Sequence, residues 1–487
     1  MTPGDLLLIM AGAPAAAALI NLAIRNARSA EFVNLIASVA VLATALPLPI
    51  FASGGTRFYL GGYIGLDGLG AWVVVCTALV YFLASIFAVG YMRTLDEEPR
   101  LWWFYTLFPA FALTMLAAPL INNVGVYWIA IELTTLVSTF LVAFERQAEN
   151  MEAAWKYIIV VSTGISLALL GVVLFYWAGT FVLGPVYELT WQALRTAAPR
   201  MSPALVTLAF LLSLVGYGTK AGLAPMHTWL PDAHSEAPAP VSAMLSGALL
   251  NAAMVGIVRL LGIADAAHVG LLSHLAVVAF GLFSLAIGAL FIVRQEGVKR
   301  LMAYSSVEHM GVITLGFGFG GVFGVAGALF HMLNHSLNKS LMFFGAGSAM
   351  RSFGVKEMSG IRQFMASFPR AGALWLAGAV AITGAPIFAP FLSEITIMRG
   401  GMEKSFAWAV VVMAIFLVVV FVGFLNHFRT MYYEPPTVHG PVASISAWCV
   451  APMAMALAPL VVFGFWWPES LWRYFGLIHG ALAGVAP

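Results

Sequence analysis

Thr219–Pro240 reads TKAGLAPMHTWLPDAHSEAPAP. It follows Pro203–Gly218, a run too apolar for a soluble protein. Within it stand a lysine (Lys220), two histidines (His227, His234) and two acids (Asp232, Glu236). Gly216, Gly218 and Gly222 loosen a helix, and Pro225 removes a backbone donor and clashes with the preceding turn. The stretch predicts a helix broken beside a lysine, inside a membrane. Such a break is tolerated only where protein buries it or where it lines a wet cavity. An ionisable side chain at that depth is by default a functional one.

Composition agrees. The chain is 61% hydrophobic and 9% charged, against about 25% charged in soluble domains. This is the composition of a polytopic membrane protein. A net charge of +2 gives no sign of a nucleic-acid partner. The two cysteines, Cys76 and Cys449, lie in apolar runs. They are too few for an iron–sulfur cluster, which needs about four thiolates, and a disulfide is not expected. Strand signals, a Gly-rich phosphate loop and a soluble domain are all absent. The chain is therefore expected to hold no cofactor and no metal. Met1–Asp5 carries no positive charge, and the apolar run continues to Ile24 without a clear cleavage site, so it reads as a retained first helix.

Stretches long enough to span a bilayer, about 20 residues each, begin near Leu6, Phe32, Leu69, Trp102, Val124, Tyr157, Ala204, Val241, Leu271, Leu301, Val322, Ala371, Phe406 and Ala447. That predicts an all-α protein of about 14 transmembrane helices. Loops after odd-numbered stretches carry about twice as many basic residues as those after even-numbered ones. The odd loops are therefore expected on the cytoplasmic side, with both termini periplasmic. The glycines of Gly311–Gly324 are spread through an apolar run and predict close helix packing.

A second interrupted stretch, TGAPIFAPFLSE at Thr383–Glu394, mirrors the first. Glycine and two prolines again break an apolar run that carries one ionisable residue, Glu394. Paired interruptions in two halves of a transporter point to inverted repeats and a site at the midplane. The plain alternative is two ordinary proline kinks. The repeats are expected over 101–262 and 263–430, preceded by N-terminal helices in 1–100 and followed by a transmembrane helix and tail in 431–487.

KAGLAPMHTWLPDAHSEAPAPVSAMLSG, VKRLMAYSSVEHMG and HMLNHSLNKSLMFFGAG together resemble one family. It comprises the antiporter-like, proton-conducting membrane subunits. They occur in respiratory complex I (M, N and L types), in group 4 nickel–iron hydrogenases and formate hydrogenlyases, and in multisubunit sodium/proton antiporters. The resemblance runs from about Trp102 to Glu394, and AYSSVEHMG with Asn251 looks closest to the F-type subunit of hydrogenase-4. It implies two inverted repeats of about five helices each, with broken seventh and twelfth helices. It also implies a hydrated row of charges at the midplane. Glu132 falls on the family's fifth-helix glutamate, Lys220 on the lysine of its broken helix, and Glu394 on the ionisable residue of the twelfth. His331, His335 and Lys339 fall on the eleventh-helix polar row. Asn251 departs from members with a lysine there, which leaves the route across the centre to other groups or water.

The chemistry of these positions stands beside the resemblance. Burial favours the neutral form of both a carboxylate and an ammonium, while proximity within about 4–6 Å favours the charged forms. Glu132 and Lys220 are thus expected to form a switchable pair rather than a static ion pair. Lysine can release its proton where arginine cannot. His331, His335 and Lys339 are spaced four apart and form a stripe on one helix face. A zinc pair at His331 and His335 is the rival reading. Met332 stands where the zinc-protease pattern needs glutamate, and Lys339 would repel a cation, so a proton relay is expected. His227 and His234, seven apart, are expected to carry a proton onward from Lys220, or else to pack. Glu308 and His309 are expected to line a cytoplasmic inlet or to form a structural network. Lys156 either tunes Glu132 or snorkels to the interface.

These residues and the resemblance together predict a proton-translocating subunit of a larger redox complex in the inner (plasma) membrane of a bacterium or archaeon. Nickel–iron, iron–sulfur or flavin centres are expected only in its partners, the other membrane subunits and a peripheral redox arm. The alternatives are a sodium/proton antiporter module and a scaffold with inactive charges.

Overall fold

A computed structural model describes residues 2–95, 98–435 and 443–484. Eleven helices among the described residues are long and apolar enough to cross a membrane. The chain begins α1 (Pro3–Ile24), α2 (Ala27–Ala45), α3 (Gly68–Tyr91), α4 (Leu101–Ala117), α5 (Val124–Val142) and α6 (Ala148–Leu183). Polar residues at the helix starts satisfy amides that have no partner inside the helix. The Thr2 side chain accepts from Asp5 N, Asn26 from Ser29 N, Asp67 from Gly70 N and Asn123 from Gly125 and Val126 N.

The predicted first break is present. α7 (Pro203–Lys220) stops at the lysine, 221–228 turn without regular α-helix, and α8 (Trp229–Glu236) resumes. Gly222 takes φ +74, which favours glycine. The freed backbone groups find new partners: Trp229 Nε1 donates to Thr219 O at 2.8 Å, and Ala224 N to Ser284 Oγ at 2.9 Å. Then come α9 (Ala239–Ala266), α10 (Gly270–Val293), α11 (Val298–Phe319) and α12 (Gly321–Phe353). Leu245–Leu249 within α9 is a π turn. The second break separates α13 (Pro369–Ile382) from α14 (Ala389–Glu403). α15 (Ala407–Tyr433), α16 (Ala447–Phe465) and α17 (Glu469–Ala483) complete the chain.

Two elements differ from the sequence reading. Arg57–Tyr59 and Ile64–Leu66 pair as an antiparallel hairpin. Three residues per strand are too few to show an alternating pattern. The expected tail folds as α17, which Arg195 holds by donating to Ala481 O and Leu482 O.

The loops sort into two faces. Ile64, Ile121, Asn123 and Thr190, from loops after α2, α4 and α6, meet through backbone bridges. Gly297 and Glu357, from loops after α10 and α12, meet on their own. With Gly297 and Glu357 belongs a ring of ion pairs. Asp232 takes Lys156 at 3.3 Å and Arg300 at 3.1 Å, Glu236 takes Lys356 at 2.9 Å, and Glu145 takes Arg351 at 3.0 Å. The basic residues counted in the odd loops are thus partly matched by acids of the same loops and of α8.

Small residues bring the functional helices together. A Cβ on Gly216 would lie 2.4 Å from Ala168 N, so α7 and α6 meet almost backbone to backbone. A Cβ on Gly288 would lie 2.6 Å from that of Glu308, which fixes α10 against α11. Gly324 packs on the Gly316 carbonyl in the same way, as the glycine spacing predicts.

Candidate functional site

Lys220 ends α7 fully buried. Its Nζ donates to Thr135 Oγ1 at 2.8 Å and to Tyr157 OH at 2.9 Å, and lies 5.2 Å from the centre of the Tyr157 ring. Glu132, half-buried on α5, accepts from Ser162 Oγ at 2.6 Å and from Thr135 Oγ1 at 3.3 Å. The direct Glu132–Lys220 pair expected from the sequence is not formed: among the described residues no ion pair joins them. Thr135 stands between. A hydroxyl has one donor and two acceptor lone pairs, so Thr135 accepts from the lysine and donates to the carboxylate at once. It lies three residues after Glu132 on one helix face. A second branch runs from Lys220 through Tyr157 OH to Ser138 Oγ, 2.8 Å away. The arrangement can pass a proton between ammonium and carboxylate without their touching.

Lys156 does not touch Glu132. It belongs to the ion-pair ring, bound to Glu152 at 2.6 Å and Asp232 at 3.3 Å. His227 and His234 follow the break. His234 is fully buried, stacks on Phe343 with ring centres 4.9 Å apart, and has no protein partner at either ring nitrogen. His227 Nδ1 is likewise unpartnered. No protein hydrogen bond ties either histidine to Lys220.

The second half centres on α12. Lys339 Nζ donates to Ser305 Oγ at 2.7 Å and Met302 O at 3.4 Å. His335 Nε2 faces Ser246 O at 3.1 Å. Ser336 Oγ donates to Gly247 O at 2.6 Å, and Asn251 Nδ2 to Ser336 Oγ at 3.0 Å. Both carbonyls lie in the π turn of α9, where the shifted ladder turns backbone acceptors toward the row. Asn251 thus joins α9 to α12 as a neutral strut.

Among the described residues no hydrogen bond joins His331 to His335. His331 Nε2 instead lies 2.8 Å from His309 Nδ1, and His331 Nδ1 lies 2.9 Å from Ser393 Oγ. His309 Nε2 is 3.4 Å from Glu308 Oε2, within charge contact but not aligned as a hydrogen bond. Glu394 is buried beside Ser393 with its Oε1 unpartnered. Gly384 makes room for its carboxylate: φ is +66, and a Cβ there would lie 2.2 Å from Glu394 Oε2. The two breaks differ in this respect. The first places a lysine at the end of a half-helix; the second places a glutamate inside one.

Ligand atoms from His309, His331 and Glu394 lie within 4.8 Å of one another. Reading the sequence missed this convergence, as it missed Thr135, Tyr157, Ser162 and Ser305. Thr135 and Ser305 each stand three residues from a glutamate, and that spacing was the available signal.

Residues 122–422 match the family described as NADH:quinone oxidoreductase/Mrp antiporter, TM. The chain is 35% identical over 351 residues to the hydrogenase-4 component F homolog of Methylacidiphilum infernorum, covering 71% of this chain and 74% of that one. It is 33% identical over 342 residues to NAD(P)H-quinone oxidoreductase chain 4 2 of Thermosynechococcus vestitus, covering 69% of this chain and 61% of the relative. A chain of the Mrp complex from Dietzia sp. DQ12-45-1b shares the fold, with a TM-score of 0.87, 19% identity and coverage of 99% and 98%. The chain is a multi-pass membrane protein and belongs to the NADH:quinone oxidoreductase/Mrp antiporter transmembrane family.

Proposed function

We propose that this chain is the proton-translocating subunit of a multisubunit redox complex in a bacterial or archaeal plasma membrane. The observation that carries the reading is a fully buried lysine at a broken helix, joined through one hydroxyl to a half-buried glutamate. Intramembrane ionisable groups of this kind mark ion pathways. Glu132 takes up or yields a proton, Thr135 passes it, and Lys220 alternates between ammonium and amine. His227, His234 and water carry it toward Lys339. The second half then uses Lys339, His335, Glu308, His309, His331 and Glu394. The face bearing the ion-pair ring is cytoplasmic, with both termini periplasmic, as the basic residues direct. Two inverted repeats, 101–262 and 263–430, place the two sites.

Moving a charge against 100 mV requires about 2.3 kcal/mol. On this reading that energy comes from partner subunits with nickel–iron, iron–sulfur or flavin centres. The names of the two relatives support this. The likeness to a Mrp chain supports a second reading, a sodium/proton antiporter module driven by an ion gradient. Proton uptake by sealed vesicles of the assembled complex separates them. Redox substrate should drive uptake, and a sodium gradient alone should not. Sodium-driven uptake without redox substrate would establish the second reading instead.

A further inference from the structure

We infer that His309, His331 and Glu394 form a binding site for one divalent transition metal of the zinc or cobalt class, and that the metal locks the second half of the row. Three separate helices, α11, α12 and α14, bring these side chains together, with one ligand atom from each within 4.8 Å of the others. All three are at least nine-tenths buried, and Glu394 Oε1 has no protein partner. Two imidazoles and a carboxylate suit zinc or cobalt, whereas magnesium, calcium and sodium favour all-oxygen shells.

The surroundings are those of a ligand set. Metal-bound histidine usually gives its second nitrogen to a carboxylate, carbonyl or other oxygen. If His309 Nδ1 and His331 Nε2 face the ion, the remaining nitrogens already have such neighbours. His309 Nε2 has Glu308 Oε2 at 3.4 Å, and His331 Nδ1 has Ser393 Oγ at 2.9 Å. Asn334 Nδ2 donates to the same Ser393 Oγ at 3.1 Å and steadies it. Glu394 and Glu308 together carry the two negative charges that offset a divalent ion with two neutral histidines, and the Lys339 ammonium is the one further charge beside them. Lys339 is the opposing group, but its ammonium is directed to Ser305 Oγ and Met302 O. The facing nitrogens stand 2.8 Å apart. Zinc–nitrogen bonds of about 2.0–2.1 Å at tetrahedral angles need roughly 3.3 Å between them, so the rings must part by a few tenths of an ångström.

The binding claim stands without any transport. The locking claim rests on the proton-relay reading, because the metal would displace the proton that His309 and His331 share. The test uses the purified, assembled complex, stripped with chelator, loaded with zinc and freed of excess ion. The parent should keep one more zinc per chain than the His331→Gln complex, and Glu394→Gln should weaken retention about tenfold or more. A zinc X-ray absorption spectrum of the parent needs no variant. It should show nitrogen and oxygen neighbours at about 2.0–2.1 Å. Equal zinc in parent and His331→Gln, or a sulfur shell, would overturn the site. Retained zinc that leaves proton uptake unchanged would keep the site and overturn the locking claim, and with it the role of His309 and His331 in the relay.

Discussion

The two halves hold their lysines in the same way and their carboxylates in different ways. Lys220 donates to Thr135 and Lys339 to Ser305, each a hydroxyl three residues from a glutamate on the same helix. In the first half that glutamate, Glu132, is half-buried and accepts one hydrogen bond at each oxygen, from Thr135 and Ser162. In the second half, Glu308 and Glu394 are buried and each keeps an unpartnered oxygen. A carboxylate satisfied by hydroxyls can stay charged beside a surface. A buried carboxylate with free lone pairs is costly to charge unless a cation or proton comes to it. The first half therefore suits exchange with whatever lies against α5 and α6. The second, where Glu308 and Glu394 lie beside the hydrogen-bonded pair His309 and His331, suits a proton or cation held between buried groups.

That contrast can be broken experimentally. Among the carboxylate, hydroxyl and ion-pair variants the largest effect should come from Glu394→Gln, which removes the one ionisable residue of Thr383–Glu394. Proton uptake should fall at least about tenfold, in the range seen when a positioned acid–base group is lost, while redox turnover falls less. Equal loss of both would mean that Glu394 holds the fold rather than the proton.

Thr135→Val sharpens the first half. Valine keeps the shape and deletes the hydroxyl between Lys220 and Glu132. Uptake should drop several-fold to about tenfold, and Thr135→Ser should restore most of it. A Thr135→Val complex that pumps like the parent would show that water or Tyr157 carries the step.

Lys156→Gln should have the smallest effect. Its ion pairs are half-exposed, and Asp232 keeps Arg300 at 3.1 Å. Exposed pairs contribute little, so uptake should stay within about twofold of the parent. A large loss would place Lys156 back beside the relay.

Much of this was legible in the sequence because it is local. A lysine in an apolar run, a glycine and a proline nearby, and a glutamate in TGAPIFAPFLSE announce both breaks without knowledge of contacts. The stripe of His331, His335 and Lys339 is also local, and all three are buried as a row requires. What it faces is not local. His331 meets His309 from 22 residues away and Ser393 from 62 residues away. No periodicity encodes such distances. The π turn at Leu245–Leu249 is invisible for another reason: LSGAL carries no local signal for it, and the partners of its carbonyls, His335 and Ser336, lie 89 residues away on α12. Thr135 was overlooked because hydroxyls in membrane helices commonly bond their own backbone, as Thr134 and Thr139 do. Thr135 instead serves the charged pair.

The central claim is that Lys220 releases and regains a proton. Lys220→Arg tests it most directly. Guanidinium keeps a positive charge and can still donate to Thr135 and Tyr157, but it does not give up its proton. The measurement is redox-driven proton uptake by sealed vesicles, with assembly of the complex confirmed in parallel. The account predicts that uptake is lost in the assembled Lys220→Arg complex, as in Lys220→Ala. Uptake at the parental rate would contradict it and leave Lys220 a fixed charge.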